Sequence, residues 1–186
     1  MRQEFKDLQT YWGQGKDITD RFGLSDYDIA LLQQHHKLEF PDSLKDYLKT
    51  LGPILHEDAQ ADDYTDQDGL FDDDAYLWWN RDKLMQDQTW FESGDHYKVG
   101  FWTKKVFLFA DFFLECVYYG VCCQKGDNFG KIISTIDPDF AANNIYEFIQ
   151  KRIQESHEER LQEDRVEIAS VIRGITKKIN NKADSE

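Results

Sequence analysis

The sequence predicts an α+β fold: a mainly antiparallel sheet of about four to six strands with helices packed against it, plus a long C-terminal helical extension. Three observations predict it. Helix-period segments with capping signals crowd the first fifty residues. Strand-like apolar runs separated by short turns fill the stretch from Tyr97 to Ile136. Helical spacing then returns and persists toward the C-terminus. Adjacent meander strands favour antiparallel pairing with helices stacked on the sheet.

The elements follow in order. Phe5, Leu8 and Trp12 are spaced as one helical stripe, which Gly13-Gln14-Gly15 stops. Ile18, Phe22 and Leu24 form a second short apolar set. Ser25-Asp26-Tyr27-Asp28 reads as a capping-box variant leading into Ile29, Leu31 and Leu32. In Phe40–Gly52, Pro41 sets the backbone for a helix start, and Asp42 or Ser43 can accept the first orphan N–H groups. Leu44, Tyr47, Leu48 and Leu51 share a face, and Gly52-Pro53 ends the helix.

Residues 57–74 change character. Glu57, Asp58, Asp62, Asp63, Asp66, Asp68, Asp72, Asp73 and Asp74 are interrupted by no Lys or Arg. Like charges at this density repel and resist compaction, so a loop is expected. Ala75–Trp79 reads as a strand and 80–85 as a short helix capped by Asn80. Four β-like runs come next: Tyr97–Trp102, Val106–Asp111, Leu114–Cys123 and Lys131–Ile136. Thr103-Lys104-Lys105 and Gly126-Asp127-Asn128 supply turns. Asp137-Pro138-Asp139 is expected to open a helix whose buried stripe is Phe140, Ile145, Phe148, Ile149 and Ile153. The spacing runs on through Leu161, Ile168, Ile172, Ile175 and Ile179, with a break at Ser156-His157. Residues 1–153 are thus expected to form one domain. Residues 154–186 form an extension that packs on that domain or on a second copy of the chain.

Composition narrows the chemistry. The chain has 186 residues, 40% hydrophobic and 15% aromatic, enough for one well-filled core. No run approaches the roughly 18 apolar residues of a membrane helix, and the start lacks a signal-peptide core. A soluble cytoplasmic protein is therefore expected, with no membrane partner. The net charge of −14 opposes direct nucleic-acid binding, which needs a basic face. It suits a basic protein partner. Cys116, Cys122 and Cys123 lie in an apolar segment and read as free core thiols. His35 and His36 diverge by about 100° around a helix, a poor bite for one metal. Nucleophile-elbow, zinc-protease, P-loop and dinucleotide motifs are absent. No catalytic residue, metal or cofactor is expected. A small metal-dependent hydrolase is the enzyme alternative, and it predicts bound divalent metal.

The acidic stretch is the candidate site. Asp66-Gln67-Asp68-Gly69 imitates the middle of a calcium loop. Position one would then be Tyr64 and position twelve Ala75, where carboxylates are required. Two readings stay open: a recognition surface for a basic partner, or a solvated insertion. Under the first, Asp62, Asp63, Asp66, Asp68, Asp72, Asp73 and Asp74 meet the partner. Trp78 or Trp79 supplies an apolar anchor, since neighbouring strand residues point to opposite faces. The alternative is that both indoles are buried.

Phe40, Pro41, Leu44, Lys45, Tyr47, Leu48 and Gly52 resemble the signature of the SUKH superfamily, the Smi/Knr-type proteins. Phe109-Ala110-Asp111 resembles that family's central strand, and Phe140 with Ile145–Ile149 its closing helix. The similarity covers roughly residues 20 to 153. Glycines that the resemblance places after the central strand are missing from Phe112-Phe113-Leu114-Glu115. Leu51-Gly52-Pro53 stands where members carry Asn-Gly-Gly. The resemblance implies a non-catalytic binding module. In bacteria this would be an immunity protein that occludes a cognate toxin, often a nuclease. The other role it implies is an intracellular regulatory or scaffold protein, self-associating through the C-terminal helix.

Overall fold

Ser25 opens the best-marked helix of the chain: its hydroxyl accepts from the Asp28 N–H at 3.1 Å, and the Asp28 carboxylate accepts the Ser25 N–H at 3.3 Å. This reciprocal box starts α2 (Asp26–His36). The computed structural model describes residues 2–13, 23–52, 65–66, 69–71, 76–88, 105–112, 115–136, 139–156 and 158. The remaining helices are α1 (Gln3–Gly13), α3 (Asp42–Leu51), α4 (Arg81–Leu84) and α5, which runs over 145–156. The strands are β1 (Thr65–Asp66), β2 (Gly69–Phe71), β3 (Tyr76–Trp79), β4 (Val106–Phe112), β5 (Val117–Cys122), β6 (Ile132–Ser134) and β7 (Phe140–Ala142).

The strands pair in chain order, β1 to β7, each antiparallel to the next. The fold is α+β, as expected. The described sheet has seven strands when the short β1 and β2 at its edge are included. Two extra strands arise inside the acidic stretch, where a loop was expected. Asp66 pairs with Gly69 and Leu70 with Trp78, so backbone pairing joins this segment to β3 despite its charge. Another comes from Phe140, expected in a helix. It pairs instead with Ile133, and α5 begins only at 145. The reason is local: Asn144 Oδ1 accepts the Glu147 N–H at 3.0 Å, and Glu147 accepts the Asn143 N–H at 3.2 Å. The cap sits at the two asparagines, not at Asp137-Pro138-Asp139. The expected strand Tyr97–Trp102 lies outside the described residues, as do Ile18 and Phe22.

One sheet face carries the main core. Trp78 is fully buried, with ring centroids 6.2 Å from Tyr47 of α3 and 6.1 Å from Phe148 of α5. Phe40 packs on Phe107 at 4.4 Å, and Phe5 of α1 on Tyr146 at 5.4 Å. A bulge in β4 sets the sidedness. Leu108 pairs with Gly120 and Ala110 with Tyr119, leaving Phe109 as the extra residue. The alternation is thereby shifted by one. Phe107 and Phe109 precede the shift and Phe112 follows it, yet all three meet aromatic residues of the helix-backed face. Asp111 is turned to the other side. Gly120 is required opposite the bulge, because a Cβ there would lie 2.4 Å from Val106 Cγ1.

α3 starts without a side-chain cap. Pro41 occupies the cap position and its carbonyl accepts from Leu44 and Lys45 at 3.0 and 3.1 Å. Asp42 pairs with Lys45 instead. Tyr47, on the buried face of α3, is enclosed by Phe5, Trp78 and Phe109, and its hydroxyl has no hydrogen-bond partner among the described residues. Burial raises its pKa well above the ordinary tyrosine value. An unsatisfied buried hydroxyl costs about 1–3 kcal/mol. Tyr47→Phe is expected to stabilise the protein by about 1 kcal/mol. The check is a higher denaturant midpoint at unchanged slope, and an unchanged or lower midpoint refutes it.

The chain forms two compact units, Met1–Gln150 and Lys151–Glu186. In the second, Arg152 pairs with Glu155 and Gln154 donates to Glu158 at 2.9 Å. The expected extension through Ile179 lies outside the described residues. Among the described residues, no helix is long and apolar enough to cross a membrane.

Candidate functional site

Among the described residues, Asp111 is the one buried carboxylate, 1% exposed within an apolar strand. Its Oδ2 accepts the Trp79 indole N–H at 2.7 Å and its Oδ1 accepts the Glu115 backbone N–H at 3.0 Å. Register explains the meeting. Leu77 pairs with Asp111, so Trp79, two residues on, shares the Asp111 face. Asp111 in turn pairs with Tyr118, whose ring stands edge-on to Trp79 at 6.1 Å. Burial raises the Asp111 pKa, and the two donated hydrogen bonds oppose that rise.

Beside this cluster, Asn80 caps α4 by accepting the Lys83 N–H at 2.9 Å. The cap turns Lys83 back toward the sheet. Its Nζ lies 3.0 Å from Glu115 Oε1 and 5.4 Å from the centre of the Trp79 ring. Glu115 adopts a left-handed backbone, φ 65°, which only glycine takes without strain. This is within the segment where the resemblance leads one to expect glycines. Gln88 then bridges the bulged strand: its carboxamide accepts the Leu108 N–H at 2.9 Å and donates to the Leu108 carbonyl at 3.1 Å. A side chain thus replaces a neighbouring strand. Between these elements lies a pocket of about 320 Å³. Trp79 and Tyr118 line it from the sheet, and among the described residues Lys83, Asp87 and Glu115 are its charged lining. An aromatic wall with charges of both signs suits recognition of a charged organic group.

Of the residues expected from sequence, Asp66, Trp78 and Trp79 fall among the described residues. Asp66 lies on β1, while Asp62, Asp63, Asp68, Asp72, Asp73 and Asp74 lie outside the described residues. The calcium-like run is a strand pairing, Asp66 opposite Gly69. Trp78 and Trp79 do point to opposite faces, but both are buried, at 0% and 2% exposure. Neither forms the exposed anchor, because helices cover Trp78 and the Asp111–Lys83–Tyr118 cluster encloses Trp79. Cys122 and Cys123 are core thiols as expected, and burial pushes the Cys123 pKa up to about 12. Cys116 is exposed, in the turn before β5.

His36 is half-buried, its Nε2 donating to the Leu84 carbonyl at 2.7 Å, and burial lowers its pKa. Its ring stands edge-on to His35 at 4.7 Å. Among the described residues, no group of three or more His, Cys, Asp or Glu converges as metal ligands. Sequence reasoning missed Lys83, Asp87, Gln88 and Glu115, because the first three and Glu115 lie in segments distant along the chain. The signal that could have found the site is the single charge, Asp111, inside the apolar run Val106–Phe112. Comparison with known proteins finds no family model, no curated protein and no solved structure that the chain matches.

Proposed function

We propose that this chain is a non-catalytic protein-binding module of the SUKH type, an immunity protein that neutralises a basic toxin domain by stoichiometric occlusion. The observation that carries the reading is the run of nine carboxylates over 57–74 with no intervening Lys or Arg. Charge of one sign in one segment speeds encounter with a basic protein and adds specificity. The attachment of β1 and β2 to β3 supports it further, since it anchors part of that segment to the sheet. A nuclease toxin fits this reading well, because the groove that holds nucleic acid is itself basic.

The test begins with a toxin domain encoded beside this chain, expressed alone and together with it. Co-expression is expected to restore growth and yield a complex of fixed stoichiometry. Replacing Asp72, Asp73 and Asp74 by Asn is then expected to slow association about tenfold at low salt and to flatten its salt dependence. Failure to protect overturns the immunity reading. Association that is unchanged across ionic strength overturns the role of the acidic stretch.

A further inference from the structure

The pocket on the Trp79 side of the sheet is built to hold positive charge. Asp111 pins the indole N–H at 2.7 Å, so the ring cannot rotate away, and Tyr118 buttresses it edge-on. The negative π-face of a held indole attracts cations. Glu115 is held at the same pocket in a left-handed backbone that disfavours any side chain, with its N–H on Asp111. Among the described lining residues, Lys83 is the one cation, against the carboxylates of Asp87 and Glu115.

Lys83 already behaves as a bound cation would, with Glu115 on one side and the Trp79 ring on the other. Its side chain is 12% exposed and lines the pocket. The volume of about 320 Å³ exceeds what one ammonium group fills. It corresponds to roughly ten waters at bulk density, room for a residue-sized side chain. Among the described lining residues there is a second carboxylate, Asp87, but no second cation to hold a ligand's carboxylate, which favours a cation carried in a peptide over a free amino acid.

We propose that this pocket binds an organic cation, the guanidinium or ammonium side chain of a peptide, and that Lys83 occupies it in the free chain. The site stands apart from the acidic stretch, and its test uses no toxin.

The probe is N-acetyl-L-arginine amide, titrated while the Trp79 indole N–H signal is followed by NMR and identified with Trp79→Phe. A saturable shift is expected in the wild-type chain. Lys83→Met removes the internal competitor and is expected to tighten binding about two- to fivefold. Glu115→Gln is expected to weaken it by a similar factor, and a dispersed spectrum verifies the fold of each variant. An anion or zwitterion site predicts the reverse for Lys83→Met, so weaker binding there overturns the proposal. An equal shift from N-acetyl-L-norleucine amide, or no shift from the arginine probe, overturns it too. Tighter binding of free L-arginine than of the capped form overturns the peptide source. Should Lys83→Met not fold, the wild-type titration against Glu115→Gln decides alone.

Discussion

Trp78→Ala is expected to remove about 3–5 kcal/mol of stability, the range for emptying a buried large aromatic site. The indole is fully buried and touches rings from three directions: Tyr47 of α3, Phe109 of β4 and Phe148 of α5. The cavity would lie where two helices meet the sheet, so no single element can relax to fill it. Against a typical total of about 5–15 kcal/mol, the loss brings the domain close to unfolding. Urea titration followed by far-UV circular dichroism measures it. Trp78→Phe should retain much of the stability. A loss below about 1 kcal/mol for the alanine variant would show that the packing around Trp78 is loose.

Asp111→Ala is expected to destabilise by about 2–4 kcal/mol, because two buried donors lose their acceptor at once. These are the Trp79 indole N–H and the Glu115 backbone N–H. The second normally helps to hold Glu115 in its left-handed conformation. Asp111→Asn keeps the shape and one acceptor oxygen, so its loss should be smaller. The two also differ in their response to pH. The folded-state pKa of Asp111 is raised from 3.8 by burial, so the folded protein binds this proton more tightly than the unfolded chain. Its contribution is therefore largest below pH 3.8 and falls as pH rises through the folded value. The margin of the wild type over Asp111→Asn should shrink as pH rises through that window. Chemical denaturation across a pH series checks this. A margin that grows with pH would mean that the hydrogen bonds outweigh desolvation.

The legible parts of the fold were those written in neighbouring residues. Ser25 and Asp28 announce α2, and Asn80 announces α4, because a cap is satisfied within three residues of itself. The periodicity of Leu44, Tyr47, Leu48 and Leu51 named the buried face of α3 before any partner was known. Strand runs at Val106 and Leu114 gave β4 and β5 to within a few residues. The errors have a common origin. Phe140 fits a helical stripe and a strand equally well, and only pairing with Ile133 decides between them. Gly69–Phe71 lies in an acidic run whose composition reads as a loop, and only the ladder with β3 makes it a strand.

The sequence by itself determined the fold class, the caps of α2 and α4, the buried face of α3 and the sign of the charge available to a partner. Each follows from spacing or composition, which need no knowledge of distant contacts. Tertiary structure alone decided the pocket beside Trp79. The pairing of Leu77 with Asp111 brings Trp79 to that carboxylate, the bulge at Phe109 sets which way it faces, and the turn of α4 returns Lys83 to Glu115. The physical reason is that strand register and bulge position are settled by the packing of whole faces against one another, and no local window of residues contains that balance.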